Sequence, residues 1–374
     1  MAHSDIVTKE FNPRPWPRLA KNALKKALGL RRGDSVWIET WTHGLPVGEI
    51  IATQARRLGI LSSIHYRSEA SLFESREGTQ SAELKGLTPA EAAGIAASDG
   101  CIYLPGPEHL ESFARLPSAI RRAFTERYVD FTRVLQQHSV PAVWLCATGA
   151  TEAVSRQFGV DLAQIQREAY RGSAVDPQSL QRDARRLRRP LRNGRRVTIT
   201  HPNGTRLELG LLGRSPIIDD GKVDGQDIAN GRVWTVIPSG YIAAPLDGQT
   251  ATGRFVSNRP SRHHRGTIRG LTWTFHDGRL VDYSVRGGSS LFEESYRKAG
   301  RERNLPALLS VGLNPEIRDF PLAVDQEKGV VTLFIGRNDD FGGDTRGQFR
   351  EYALLQGADL LVDGRSLLKA GRWR

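Results

Sequence analysis

The chain has little that would place it outside an ordinary reducing, aqueous compartment. Only two cysteines, Cys101 and Cys146, occur in 374 residues. Each sits in an apolar, strand-like run, so reduced core thiols are expected rather than a disulfide framework or a thiolate zinc site. No apolar run approaches the roughly 18 residues a membrane helix needs; the stretch 139–151 is about the longest without charge. The first residues carry Asp5, Lys9, Glu10 and three prolines, Pro13, Pro15 and Pro17, where a secretion signal would have an apolar core. A cytoplasmic protein with no membrane contact is the expectation. Two catalytic signatures are also missing. No Gly-x-Gly-x-x-Gly turn follows the first strand, which disfavours a dinucleotide site. No Gly-x-Ser-x-Gly elbow or Cys/His pair supports nucleophilic catalysis. No cofactor is expected.

What is present is normal for a globular protein: 39% hydrophobic and 25% charged residues, in a chain too long for one ordinary core. The net charge of +12 suggests nucleic acid until it is located. Eight arginines and one aspartate lie between Arg182 and Arg196, and that segment accounts for more than half of the excess. A solvated arginine-rich helix and turn explains it, and an acidic partner or phosphate is the functional alternative. Without aromatic interleaving or a nucleic-acid motif, nucleic acid is not an expected partner.

Helix and strand signals alternate in the first half. Helical spacing over 17–30 and 46–58 flanks strand-like runs at 35–40, 60–66, 101–104 and 142–146. This predicts an α/β, doubly wound parallel-sheet domain of Rossmann or flavodoxin type over residues 1–180. The pattern then changes. Asn203-Gly204, Asp277-Gly278 and Asp363-Gly364 each separate two alternating runs, three hairpin signals in a β-rich α+β domain over 181–374. One helix, roughly 290–303, interrupts it. The boundary belongs near 175–195.

Four short motifs follow one another in the second half: Pro238-Ser239-Gly240-Tyr241, Gly312-Leu313-Asn314-Pro315, Glu327-Lys328-Gly329 and Phe341-Gly342-Gly343. In order and spacing they resemble the metallo-aminopeptidases of the aminopeptidase T and aminopeptidase S type. The resemblance runs weakly through the first half and more specifically from about Val233. It implies an aminopeptidase T-like two-domain fold, a homodimer and a two-metal site in the second domain. The positions where that family places its ligands hold Tyr241, Leu308, Thr332, Arg350 and Tyr352 here. Leucine donates nothing, and an arginine puts a fixed positive charge where cations would sit. The related dihydroxypyridine dioxygenases hold one iron at positions that fall on Leu308, Arg350 and Tyr352, so that site is equally unsupported. No metal is expected at this place.

Arg350 is the most suggestive substitution, because an arginine facing a former cation cleft could hold a carboxylate or phosphate. Tyr241 and Tyr352 could hydrogen-bond beside it, with Ser239 and Thr332 lining the same interdomain cleft. His263-His264 is flanked by arginines, and adjacent strand residues point to opposite faces, so a shared metal is disfavoured. A basic loop, or an acid/base role for His264, remains. Glu39 and His43 follow the first strand, where open α/β sheets collect ligands, and could line a pocket there or cap the next helix. Asp325, Glu327, Asp339, Asp340 and Asp344 crowd the glycine turn. Two readings result. One is a divergent aminopeptidase-like protein that handles a small amino-acid-like, peptide-like or anionic ligand. The other is a non-catalytic pseudo-peptidase that meets an acidic partner through the arginine segment.

Overall fold

The computed structural model describes residues 12–74, 86–263 and 265–374. The chain forms two compact units, one of 1–174 with 221–238, the other of 175–220 with 239–374.

The first unit is built on an open parallel sheet. Strands β1 (Ser35–Trp41), β2 (Leu61–Arg67), β3 (Gly100–Tyr103) and β4 (Ala142–Leu145) are joined by a fifth, Trp234–Ile237. The order is β2-β1-β3-β4 and then the fifth strand, every pairing parallel. β3 and β4 read as continuous apolar runs because both of their faces are covered: Cys101, Ile102 and the whole of β4 are buried. Helices Leu45–Arg57 and Ser118–Gln137 bury one stripe each, Val47, Ile51 and Ala55 in the first and Ile120, Ala123, Phe131 and Leu135 in the second. The two cysteines form no disulfide. Burial pushes the Cys101 thiol well up from its ordinary range, which suits a core side chain. The return of 221–238 to this unit has no turn or composition signal in the sequence.

The second unit is antiparallel. Its strands are β5 (Arg196–His201), β6 (Thr205–Leu211) and β7 (Ile217–Asp219). After the fifth strand of the first unit (β8) come β9 (Tyr241–Val256), β10 (Ser261–His263), β11 (Gly266–Ile268), β12 (Thr272–His276), β13 (Arg279–Ser284), β14 (Pro306–Gly312), β15 (Val331–Gly336), β16 (Arg350–Leu355), β17 (Asp359–Val362), β18 (Arg365–Lys369) and β19 (Arg372–Trp373). β10 and β11 pair alone, and the others form one large sheet with β16-β15-β14-β9-β6-β5-β17-β18-β19 as its main path. The 16-residue β9 is its spine, pairing with β6, β7, β12 and β14 along its length. All three expected hairpins form. Asp277-Gly278 and Asp363-Gly364 both take positive φ at both residues, as a two-residue turn matched to strand twist requires. At Asn203-Gly204 only the glycine does, and Asn203 Oδ1 accepts from the Thr205 amide at 3.1 Å.

Period-two alternation divides the sheet into two faces. Ile242, Ala244, Leu309, Val311, Leu333, Ile335, Ala353 and Leu355 join Phe255 and Trp273 in the main core. Helix Pro177–Asn193 packs there too. Asp176 caps it, and Leu180, Ala184, Leu187 and Leu191 are buried. The eight arginines of the basic segment are all exposed.

Candidate ligand-binding face

The strand register of the second unit sets the five positions singled out by the resemblance on four neighbouring strands, from Tyr241 at one end to Arg350 at the other. Leu308 pairs with Phe334, which pairs with Tyr352; Ser310 pairs with Thr332; Gly336 pairs with Arg350; Tyr241 pairs with Gly312. By parity, Tyr241, Leu308, Thr332, Arg350 and Tyr352 all lie on the face opposite the main core. Three of them are closely packed: Tyr241 is 8% exposed, Leu308 1% and Thr332 0%.

Each polar member of this face is held differently. The Tyr352 hydroxyl accepts from the Arg262 amide at 2.8 Å and donates to the Arg262 carbonyl at 2.7 Å, so it pins β10 against β16. Burial, then the Glu351 charge, push its pKa upward, so it remains a neutral phenol. Arg350 donates from Nε to the Arg337 carbonyl at 2.9 Å and from Nη2 to Asp340. Its guanidinium also lies 5.1 Å from the centre of the Phe341 ring. Thr332 Oγ1 and Ser310 Oγ, on register-paired residues, are buried without a hydrogen-bond partner. An unpaired buried hydroxyl costs about 1–3 kcal/mol, so a polar atom placed between them would be stabilising. Nearby in sequence, Asp325 has its pKa raised to about 6 by burial. These side chains do not suit a two-metal centre. Leu308 has no donor atom, the Tyr352 phenol is committed in both directions, and Arg350 is a fixed cation.

The persistent short motifs are explained by backbone fit. Asn314 donates from Nδ2 to the Ser239 carbonyl at 2.7 Å, and the Leu313 amide donates to the Gly240 carbonyl at 2.9 Å. Asn314 also exchanges backbone bonds with Gln326 and Lys328. A Cβ on Gly312 would lie 2.0 Å from the Glu327 carbonyl oxygen, so only glycine fits there. Pro-Ser-Gly, Gly-Leu-Asn and Glu-Lys-Gly are thus three sides of one clasp. The fourth motif closes the loop that presents Asp340 to Arg350. It leaves no room at Gly343, where a Cβ would be 2.1 Å from the Asn338 side chain.

The remaining expected residues lie elsewhere. His264 is outside the described residues. Its neighbour His263 has Nε2 3.0 Å from Glu351 Oε1 and its ring 5.1 Å from that of Tyr352. Glu39 is buried in an ion network of the first unit. Its carboxylate meets His65 Nδ1 at 2.9 Å, Trp37 Nε1 at 3.2 Å and Arg127 Nη2 at 3.4 Å. His65 also reaches Glu91 at 2.9 Å, and Arg127 reaches Glu91 at 2.7 Å. The hydrogen bond to Glu39 raises the His65 pKa, outweighing its burial. His43 lies beside Glu69 and Glu108. Burial lowers its pKa despite the raising influence of both carboxylates. A cavity of about 410 Å³ in the second unit is lined by Arg279, Arg301 and Arg303 with Ala299, Gly300 and Asn304, and by none of the five face residues. His65, Glu91, Arg127 and this arginine-lined cavity had no motif to announce them.

No known family's sequence profile matches the chain, and no curated protein does. Among solved structures, wild-type AmpT from Thermus thermophilus superposes with a TM-score of 0.68 at 16% identity, covering 96% of this chain and 99% of that one. A 2,5-dihydroxypyridine dioxygenase from Pseudomonas putida KT2440 does so with a TM-score of 0.65 at 12% identity, covering 97% and 98%. Likeness at this level establishes the fold. Among the described residues, no helix is long and apolar enough to cross a membrane.

Proposed function

We propose, from the premise that this chain has an aminopeptidase T-like fold, that it is a divergent protein of that scaffold which binds a small amino-acid-like or anionic ligand without a two-metal centre. The observation that carries this reading is Arg350. It stands at a family ligand position and already holds a side-chain carboxylate, that of Asp340. Asp340 belongs to the exposed turn Asp339–Phe341 and is shared with Arg337, at 3.1 Å. It acts as an internal stand-in for a ligand carboxylate, which would displace it and keep the guanidinium paired. The unpartnered hydroxyls of Ser310 and Thr332 add polar capacity on the same face.

A thermal-shift screen of amino acids, dicarboxylates and phosphates tests it. Arg350→Met should weaken ligand binding roughly ten-fold or more, since a charge-assisted hydrogen bond is worth about 1.5–3 kcal/mol. Asp340→Asn should strengthen it by removing the competitor. If no anion stabilises the wild type, or if Arg350→Met responds equally, the reading fails. A cytoplasmic homodimer is part of the proposal, and light scattering at the monomer mass of 41.4 kDa would overturn the dimer.

The exposure of all eight arginines between Arg182 and Arg196 favours a second reading, a pseudo-peptidase that binds an acidic partner. Binding to polyglutamate that weakens steeply with salt and is lost when Arg185, Arg188, Arg189 and Arg192 become glutamine would support it. Retention of binding in that variant would count against it.

A further inference from the structure

Open parallel sheets bind ligands where two strand connections leave in opposite directions, because the loops there part and form a crevice. In the first unit the chain passes from β1 to β2 on one side and then returns to place β3 on the other side of β1. The crevice is therefore at the carboxyl ends of β1 and β3. Three consecutive strands each send one metal-binding side chain to that end. His43 is in the 3-10 turn Thr42–Gly44 directly after β1, Glu69 opens the helical turn after β2, and Glu108 is in the segment after β3.

One donor atom from each of the three lies within 4.8 Å of the others. His43 Nδ1 is buried and has no hydrogen-bond partner, and Glu69 is buried. The framework around them does not depend on a ligand. The Glu69 amide donates to Thr42 Oγ1 at 3.0 Å, tying the β2 loop to the β1 turn. The His109 amide and Nδ1 both meet Glu69 Oε1, at 2.8 and 2.9 Å, tying the β3 loop to the same carboxylate. That segment lies flat on Trp41, close enough that a Cβ on Gly106 would be 2.3 Å from the indole ring. Two carboxylates held this close repel each other unless a cation or proton intervenes. An imidazole with an unused nitrogen beside them completes a nitrogen-and-oxygen donor set.

We propose that His43, Glu69 and Glu108 bind one divalent first-row transition cation, such as Zn²⁺ or Mn²⁺. One imidazole and two carboxylates match this class, whereas Mg²⁺ and Ca²⁺ prefer all-oxygen surroundings. Three protein ligands leave coordination positions for water or an oxygen of a small ligand. His109 is a positioning residue that orients Glu69. This site is separate from the Arg350 face, and its test is independent of that reading.

Full-length protein stripped with chelator and dialysed against ZnCl₂ or MnCl₂ should take up about one metal per chain by elemental analysis. The isosteric changes Glu69→Gln and Glu108→Gln should each weaken uptake at least ten-fold. His276→Gln, which alters an exposed histidine of the second unit paired with Asp277 at 3.1 Å, should leave uptake unchanged. Cu²⁺-loaded wild type should show hyperfine coupling to one imidazole nitrogen by pulsed electron paramagnetic resonance, a readout that does not depend on any variant folding. Absence of saturable uptake by about 1 mM metal, wild-type uptake in both glutamine variants, or Cu²⁺ spectra without imidazole coupling would overturn the proposal.

Discussion

Two faces, one in each unit, handle charge in opposite ways. In the first, carboxylates are brought together: Glu39 and Glu91 are bridged by His65 and Arg127, and Glu69 and Glu108 converge on His43. In the second, the face opposite the main core has a leucine, a threonine, a pinned phenol and an arginine turned to its own aspartate. The second unit's buried carboxylates, Asp219, Asp220, Glu327 and Glu351, stand at other positions than these. A shared fold therefore says little about which of its surfaces does chemistry, because cation binding needs only a few side chains and the strand register supplies many places for them.

The largest effect should come from the first unit's network. Arg127→Met removes one partner from a nearly buried set and strands the charges of Glu39 and Glu91, which should cost about 3–5 kcal/mol in denaturant unfolding. A loss under about 1 kcal/mol would mean that the network is solvated and the contrast between units overstated. Next is the clasp of the second unit. Gly312→Ala drives a methyl into the Glu327 carbonyl, and about 3 kcal/mol should be lost.

A smaller, opposite effect is expected at Asp325. Its folded pKa of about 6 lies above the unfolded value, so burial penalises the charged form once the pH exceeds about 6, and the penalty vanishes below the unfolded pKa near 3.9. Asp325→Asn should therefore stabilise the protein by on the order of 1–3 kcal/mol at pH 8 and leave it unchanged at pH 3.5. Equal effects at both values would remove the electrostatic explanation. The smallest effect concerns His65, whose folded pKa is raised by Glu39. Its stabilisation is complete below the unfolded pKa near 6.5 and fades as the pH rises through the folded one. The deficit of His65→Gln against wild type should be greatest near pH 5.5 and shrink by pH 9. A deficit constant with pH would assign His65 a packing role only.

Much of the fold was legible because local chemistry specifies it. Asp277-Gly278 and Asp363-Gly364 supply two positive-φ residues in a row, and the runs around Ile102 and Val143 have no polar face to present to water. The clasp was legible for a related reason: its glycines and Asn314 stand in short motifs that the sequence displays directly. The charge clusters were not legible. Glu39 meets His65 only because β1 and β2 are neighbours in parallel register, and it meets Arg127 from a helix 88 residues away. His43, Glu69 and Glu108 likewise converge only when the strand order 2-1-3 is known. Glu39 and His43 were visible as candidates beyond the first strand, but their partners depend on topology that no local pattern encodes.

The fit of Gly312 against the Glu327 carbonyl has a consequence for how relatives of such a chain are found. A chain that keeps this clasp keeps the glycine and Asn314, whatever stands at the positions a few residues away. A search pattern written on these residues sorts proteins by architecture and is blind to turnover. Genomes screened with it will return chains of one architecture in one list, whatever stands at the five face positions.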